Sequence, residues 1–130
     1  MTHRRAEKTR EQSFEAVKTM ALTLPDVEAT TKYDGSPVLK LNGCFMAGVA
    51  THGSAEPDTL VVRSGFEERQ WLLGDAPDVY YMTDYYRRYP VVLARLSRID
   101  RGALRDLLAG SWRLTAAKAG RERRGQRREY

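Results

Sequence analysis

The sequence is poor in the residues from which most catalytic and metal sites are assembled. It has one cysteine and two histidines in 130 residues. The lone Cys44 cannot close an internal disulfide, which fits a reducing compartment and makes the cytoplasm the expected location. Long apolar runs are also missing. The stretch Cys44 to Ala50, interrupted by Gly48, is far shorter than a membrane span, so no membrane partner is expected. The start, Met-Thr-His-Arg-Arg-Ala-Glu-Lys, is charged and leads into no apolar core, so no secretory signal is predicted there. His3 and His52 have no serine or cysteine with an orienting acid at a spacing that reads as a nucleophile set. No cluster has metal-ligand spacing. No catalytic residue, cofactor or metal is therefore expected, and His52 reads as a solvated loop residue. Cys44 reads as a small hydrophobe within a strand.

What is present is a soluble-protein composition, 42% hydrophobic and 30% charged, with an uneven charge distribution. Residues 1–112 carry equal numbers of cations and carboxylates. Residues 113–130 carry Arg113, Lys118, Arg121, Arg123, Arg124, Arg127 and Arg128 against Glu122 and Glu129, which is the whole net charge of +5. The body is neutral and the end is basic.

The length implies one domain able to bury a core. Phe14, Val17, Met20, Ala21 and Leu24 form one helical stripe, predicting a helix over about 9–24, ended by Pro25. Residues 29–63 read as a strand meander: Ala29 to Tyr33, Val38 to Leu41, Cys44 to Ala50 and Thr59 to Arg63. Asn42-Gly43 is a two-residue hairpin turn of type I′. Ser64-Gly65-Phe66-Glu67 reads as a capping box opening a short helix through Leu73, with Gly74 after its end. Strands follow at about Val79–Met82 and Val91–Ser97, joined by a connector at Thr83–Tyr89. Asp100 is a candidate N-cap. Leu104, Leu107, Leu108 and Trp112 mark a helix running to about Leu114. The reading is a flexible N-terminus over 1–8 and a single domain over 9–115. A basic stretch over 116–130 is read as disordered or as a marginal helical extension. Antiparallel strands bracketed by helices predict an α+β fold, with the N- and C-terminal helices on one face of the sheet.

Several segments in this order resemble the MmcQ/YjbR family. They are Ala21-Leu22-Thr23-Leu24-Pro25-Asp26-Val27-Glu28, then Pro37 through Ala47 with the Leu41-Asn42-Gly43-Cys44 turn. Tyr85-Tyr86-Arg87-Arg88-Tyr89-Pro90-Val91-Val92-Leu93 and Ile99-Asp100 to Ser111-Trp112 follow. The resemblance covers roughly 12–116. It implies a frataxin-like, or double-wing, α+β fold, and it carries the family's common description as DNA-binding. The Arg-rich end lies outside it.

Two constellations carry functional expectations. Tyr85, Tyr86 and Tyr89 beside Arg87 and Arg88 combine large rings with fork-shaped cations, the equipment of a binding surface. The alternative is that Tyr81 and Tyr85 or Tyr86 pack inward while Arg87 and Arg88 form a solvated turn. Arg121, Arg123, Arg124, Arg127 and Arg128 read as an arm that neutralises nucleic-acid phosphates, or else as a solubilising end. Glu7, Glu11 and Glu15 share a helical face, but Lys8, Arg10 and Lys18 among them favour a solvated face over a cation site. The functional expectation is a non-enzymatic protein that binds DNA without sequence preference through Arg87, Arg88, Tyr89 and the five C-terminal arginines. A protein-interaction or small-anion module is the alternative.

Overall fold

The computed structural model describes residues 13–128, with side chains through residue 122. The described elements are α1 (Phe14–Ala21), β1 (Val27–Thr31), β2 (Pro37–Leu41), β3 (Cys44–Val49) and β4 (Thr59–Arg63). They continue with α2 (Phe66–Asp75), β5 (Tyr80–Tyr81), α3 (Asp84–Arg87), β6 (Val91–Arg95) and α4 (Arg101–Arg128). The strands form one antiparallel sheet in the order β1-β2-β3-β4-β6-β5. The α+β class expected from the order of elements is the one observed.

Pairing register explains the core. Leu39, Ala47, Val62 and Val92 are partners across four strands, and Leu60, Ala94 and Tyr80 form a parallel row. Both rows point to one face, where they meet Val17 and Ala21 of α1, Leu72 of α2 and Leu104, Leu107 and Leu108 of α4. The N- and C-terminal helices thus do share a face. The intervening row, Val61, Leu93 and Tyr81, points to the other face and packs with Val91, Phe45 and Tyr86. Because both faces are covered at the centre, Val91 to Ala94 are all buried in spite of the strand's alternation. Each fully buried Leu contributes about 1.5–3 kcal/mol by leaving water.

Local chemistry sets the element ends. Ser13 caps α1 by accepting from the Ala16 amide at 3.2 Å. The helix stops at Ala21, three residues short of the expected Leu24, because its end tightens through i to i+3 bonds from the Thr23 and Leu24 amides. The expected beginning at 9–12, Glu7, Glu11 and the N-terminal 1–8 lie outside the described residues. Asn42 (φ 50°) and Gly43 (φ 82°) make the predicted hairpin turn. A bulge between Leu39 and Lys40 shifts the β2–β3 register.

Three expectations need correction. The capping box does not form: Gly65 is the N-cap of α2, and the buried Ser64 donates to the Gly65 carbonyl instead. Ser64 is drawn inward because its amide bonds the Pro90 carbonyl. Gly74 lies inside α2, which runs to Asp75 with Ala76 as its cap. The third concerns α4. Its cap is as predicted, Asp100 accepting from the Ala103 amide at 2.8 Å. The helix, however, continues past Leu114 through Arg128. Its buried stripe passes from Leu104 and Leu108 to the small residues Ser111, Thr115 and Ala119. These let the helix lie close to β3, where the Ser111 hydroxyl donates to the Met46 carbonyl at 3.0 Å. Segment 116–128 is therefore helical backbone continuous with the domain. No helix among the described residues is long and apolar enough to cross a membrane.

Candidate nucleic-acid interface

The Tyr/Arg stretch folds into α3 and the turn after it, on the sheet face away from the three longer helices. Thr83 caps α3 by accepting from the Tyr86 amide, and the Ser54 hydroxyl donates to Thr83 in turn at 3.0 Å. Tyr86 is buried, and its hydroxyl accepts from the His52 amide at 3.2 Å. The His52 ring stacks on Tyr85 with centroids 3.6 Å apart and 7° between planes. Its Nδ1 accepts from the Ser54 amide at 3.1 Å, which puts the proton of the neutral ring on Nε2. His52 is exposed, as expected of a loop residue, but it also serves as a wall for Tyr85.

The remaining aromatics extend outward. Tyr85 meets Tyr86 edge-on at 4.9 Å and Tyr89 at 5.9 Å. The Arg88 guanidinium lies 5.6 Å from the Tyr85 ring and 5.7 Å from the Tyr89 ring. Tyr85 loses its proton less readily than an ordinary phenol, first because the neighbouring Tyr89 would repel its charge, then through desolvation. Arg87 points away and pairs with Asp84 at 3.3 Å in full solvent, a contact worth little. Arg88 and Tyr89 are thus brought together, while Arg87 stands at the edge. Tyr86 packs inward, as one reading of this stretch has it, and Tyr89 remains 42% exposed.

Arg69, which sequence reasoning passed over, holds this turn in place. On α2 the expected apolar positions Phe66 and Trp71 are exposed, and Arg69 is buried to 6% exposure. Its guanidinium donates to the carbonyls of Tyr89 (2.9 Å), Val91 (3.1 Å) and Arg87 (3.0 Å). No carboxylate forms an ion pair with it among the described residues. Burial, and then the nearby Arg87 charge, lower its pKa. Three carbonyls converging on one cation fix the path of residues 87–91. The only sequence clue is the position of Arg69, three before the buried Leu72 on the same helix.

Beside the turn lies an open, mostly apolar pocket of about 240 Å³. Phe45, Val61, Tyr85, Tyr89 and Arg63 are among its lining residues. Arg63 is fixed by donating to the Phe45 carbonyl at 2.8 Å. The later turns of α4 reach the start of β3. Glu122 is held there by Lys118 at 2.8 Å and by the Cys44 thiol at 3.3 Å. Arg121 is exposed on α4. The side chains of Arg123, Arg124, Arg127 and Arg128 lie outside those described, and the helical backbone carries them onward. Cys44 is buried as expected. Burial first, then the hydrogen bond to Glu122, raise its pKa. Among the described residues no group of three His, Cys, Asp or Glu side chains could hold a metal ion.

These features define a small α+β domain with an aromatic pocket flanked by arginines and a long basic terminal helix. No family model matches the chain, so the MmcQ/YjbR resemblance yields no family assignment. The chain is 35% identical over 72 residues to an uncharacterized protein of Mycobacterium tuberculosis and, equally, to one of Mycobacterium bovis. The match covers 52% of this chain and 56% of each relative, so the chain spans about half the length of the curated relatives it matches. No solved structure matches.

Proposed function

We propose that this domain binds nucleic acid without sequence preference. Arg121, Arg123, Arg124, Arg127 and Arg128 contact phosphates, and the Arg88–Tyr89 pocket accepts a base. The observation that supports this reading is the continuity of α4. It runs as one helix past Glu122, which accepts from the Cys44 thiol at the start of β3, and on through the arginine-rich stretch. A helix delivers these charges in a fixed direction at lower ordering cost than a free coil. Aromatic rings beside cations suit bases of any identity, because each base offers a flat face.

The test is a fluorescence-anisotropy titration of labelled single-stranded and duplex DNA. The full chain is compared with Arg123→Gln, Arg124→Gln, Arg127→Gln and Arg128→Gln combined, a set that preserves helix propensity. Affinity should fall at least about a hundredfold for both DNA forms if four phosphate contacts are lost. Tyr89→Ala should weaken single-stranded binding by about 1–3 kcal/mol and duplex binding less. Unchanged affinity in the arginine variant overturns the reading.

A second reading rests on the pocket alone. Its apolar lining includes Arg63 and the Tyr85 ring over which Arg88 lies, a combination that suits a small aromatic anion. Binding of such an anion that is insensitive to the C-terminal substitutions and lost in Arg88→Gln favours it.

A further inference from the structure

The helical layer carries a second concavity, unconnected with the tyrosine pocket. It is a groove of about 370 Å³ between α2, the β5 approach and the first turns of α4. Its carboxylates are Glu68 and Asp75 from α2 and Asp100 and Asp106 from the start of α4. None of the four forms a salt bridge among the described residues. Between them lie apolar side chains, among them Leu72, Val79 and Leu107. Trp71 borders the groove with 65% of its surface exposed.

Acidic side chains alone dot many solvated surfaces, but Tyr80 makes this arrangement more than that. Tyr80 lines the groove and is only 5% exposed, yet its hydroxyl has no hydrogen-bond partner among the described residues. No described side-chain polar atom is both fully sealed from solvent and unpartnered, so this hydroxyl keeps an opening, and the groove is what it lines. Its surroundings agree: the phenol's pKa is pushed up to about 12, by burial first and then by Asp100, Asp75, Glu68 and Asp106. All four groove carboxylates therefore act on one buried, unused hydroxyl.

The spacing of the charges decides what kind of cation fits. Among the described residues no three carboxylates converge closely enough to hold a metal ion. Charges distributed around an apolar floor instead match a molecule with several separate cationic groups joined by hydrocarbon. We infer that the groove is a binding site for an aliphatic polyamine. Its methylenes lie on Leu72, Val79 and Leu107, and its ammonium groups reach the four carboxylates. One ammonium donates to the Tyr80 hydroxyl, and Trp71 offers its ring face to another. The site is chemically opposite to the arginine-bordered pocket and independent of the reading proposed for it.

The test is isothermal titration of the full chain with spermidine at low and physiological salt. Saturable binding at one site per chain is expected. Asp75→Asn combined with Asp106→Asn should weaken it about tenfold, since two of the four charges that face the ammonium groups are removed. Both residues are exposed and make no described hydrogen bond, so the fold should tolerate the change. Tyr80→Phe should weaken binding about threefold without altering the thermal midpoint appreciably. Glu15→Gln with Glu28→Gln removes the same net charge elsewhere and should leave affinity unchanged. Equal weakening by that control pair, or no saturable binding, overturns the proposal. So does self-association of the full chain that Asp75→Asn and Asp106→Asn abolish while spermidine fails to bind, which would assign the groove to a basic segment of a second copy.

Discussion

Replacing Arg69 by methionine removes the donor that organises residues 87–91 while keeping a side chain of comparable length. Three carbonyls lose this donor, although that of Tyr89 still accepts from the Val91 amide at 2.8 Å. The Val91 carbonyl is buried, and an orphaned buried acceptor costs about 1–3 kcal/mol. Those of Arg87 and Tyr89 belong to exposed residues and can recover water, at about 0.5–1 kcal/mol each. Against this, methionine escapes the desolvation of a buried guanidinium, which the lowered Arg69 pKa reflects. The net loss should be about 2–3 kcal/mol. For a chain of 130 residues that corresponds to a drop of about 6–12 °C in Tm. Urea unfolding followed by far-UV circular dichroism gives the free energy, and the tyrosine near-UV signal reports the turn. Arg69→Lys should recover less than half of the loss, because an ammonium cannot present the planar fork that reaches three carbonyls. A Tm change under about 2 °C for Arg69→Met would refute the argument, since it would mean the three carbonyls are satisfied without the guanidinium.

Further outcomes follow from single contacts. Gly43→Ala should cost about 1 kcal/mol in urea unfolding, because φ of 82° strains any residue with a Cβ even though the space beside Gly43 is open. Cys44 should alkylate with iodoacetamide at least about tenfold more slowly than a free thiol at mildly alkaline pH, and denaturant should abolish the protection. Glu56, held below the ordinary carboxylate range by hydrogen bonds from Arg95, contributes stability that is complete above its unfolded value and is lost as pH falls through the folded one. Glu56→Gln should therefore reduce stability near neutrality and flatten the acid limb between about pH 5 and 3 in thermal melts.

The general shape was legible because its determinants are local. Asn42-Gly43 specifies a hairpin whatever surrounds it, and Asp100 announces a helix start through its own side chain. β4 and β6 are short runs rich in valine and leucine, and such runs read as strands buried on both faces. What could not be read depends on distant partners. Ser64 sits in a capping-box pattern, yet its amide is committed to Pro90, twenty-six residues on. Arg69 looks like a solvated helix residue until the turn at 87–91 folds over it. Past Leu114 the sequence leaves helix and disorder both open, because the stripe of α4 runs through Ser111, Thr115 and Ala119, residues too small or polar to register as a hydrophobic face. They are buried only because β3 lies close beneath. The candidate site divides in the same way. Tyr89 and Arg88 are adjacent in sequence and stay together, whereas the contributions of Phe45 and Arg63 to the pocket, and the stacking of His52 on Tyr85, require the sheet.

The salt dependence of DNA affinity for the full chain tests the central proposal most directly. If about five arginines neutralise phosphates, the plot of log affinity against log salt concentration should have a slope of roughly −4 to −5 on duplex and roughly −3 to −4 on single strands. A slope flatter than about −1 would contradict the account, because it would mean that the charges of the terminal helix take no part in binding.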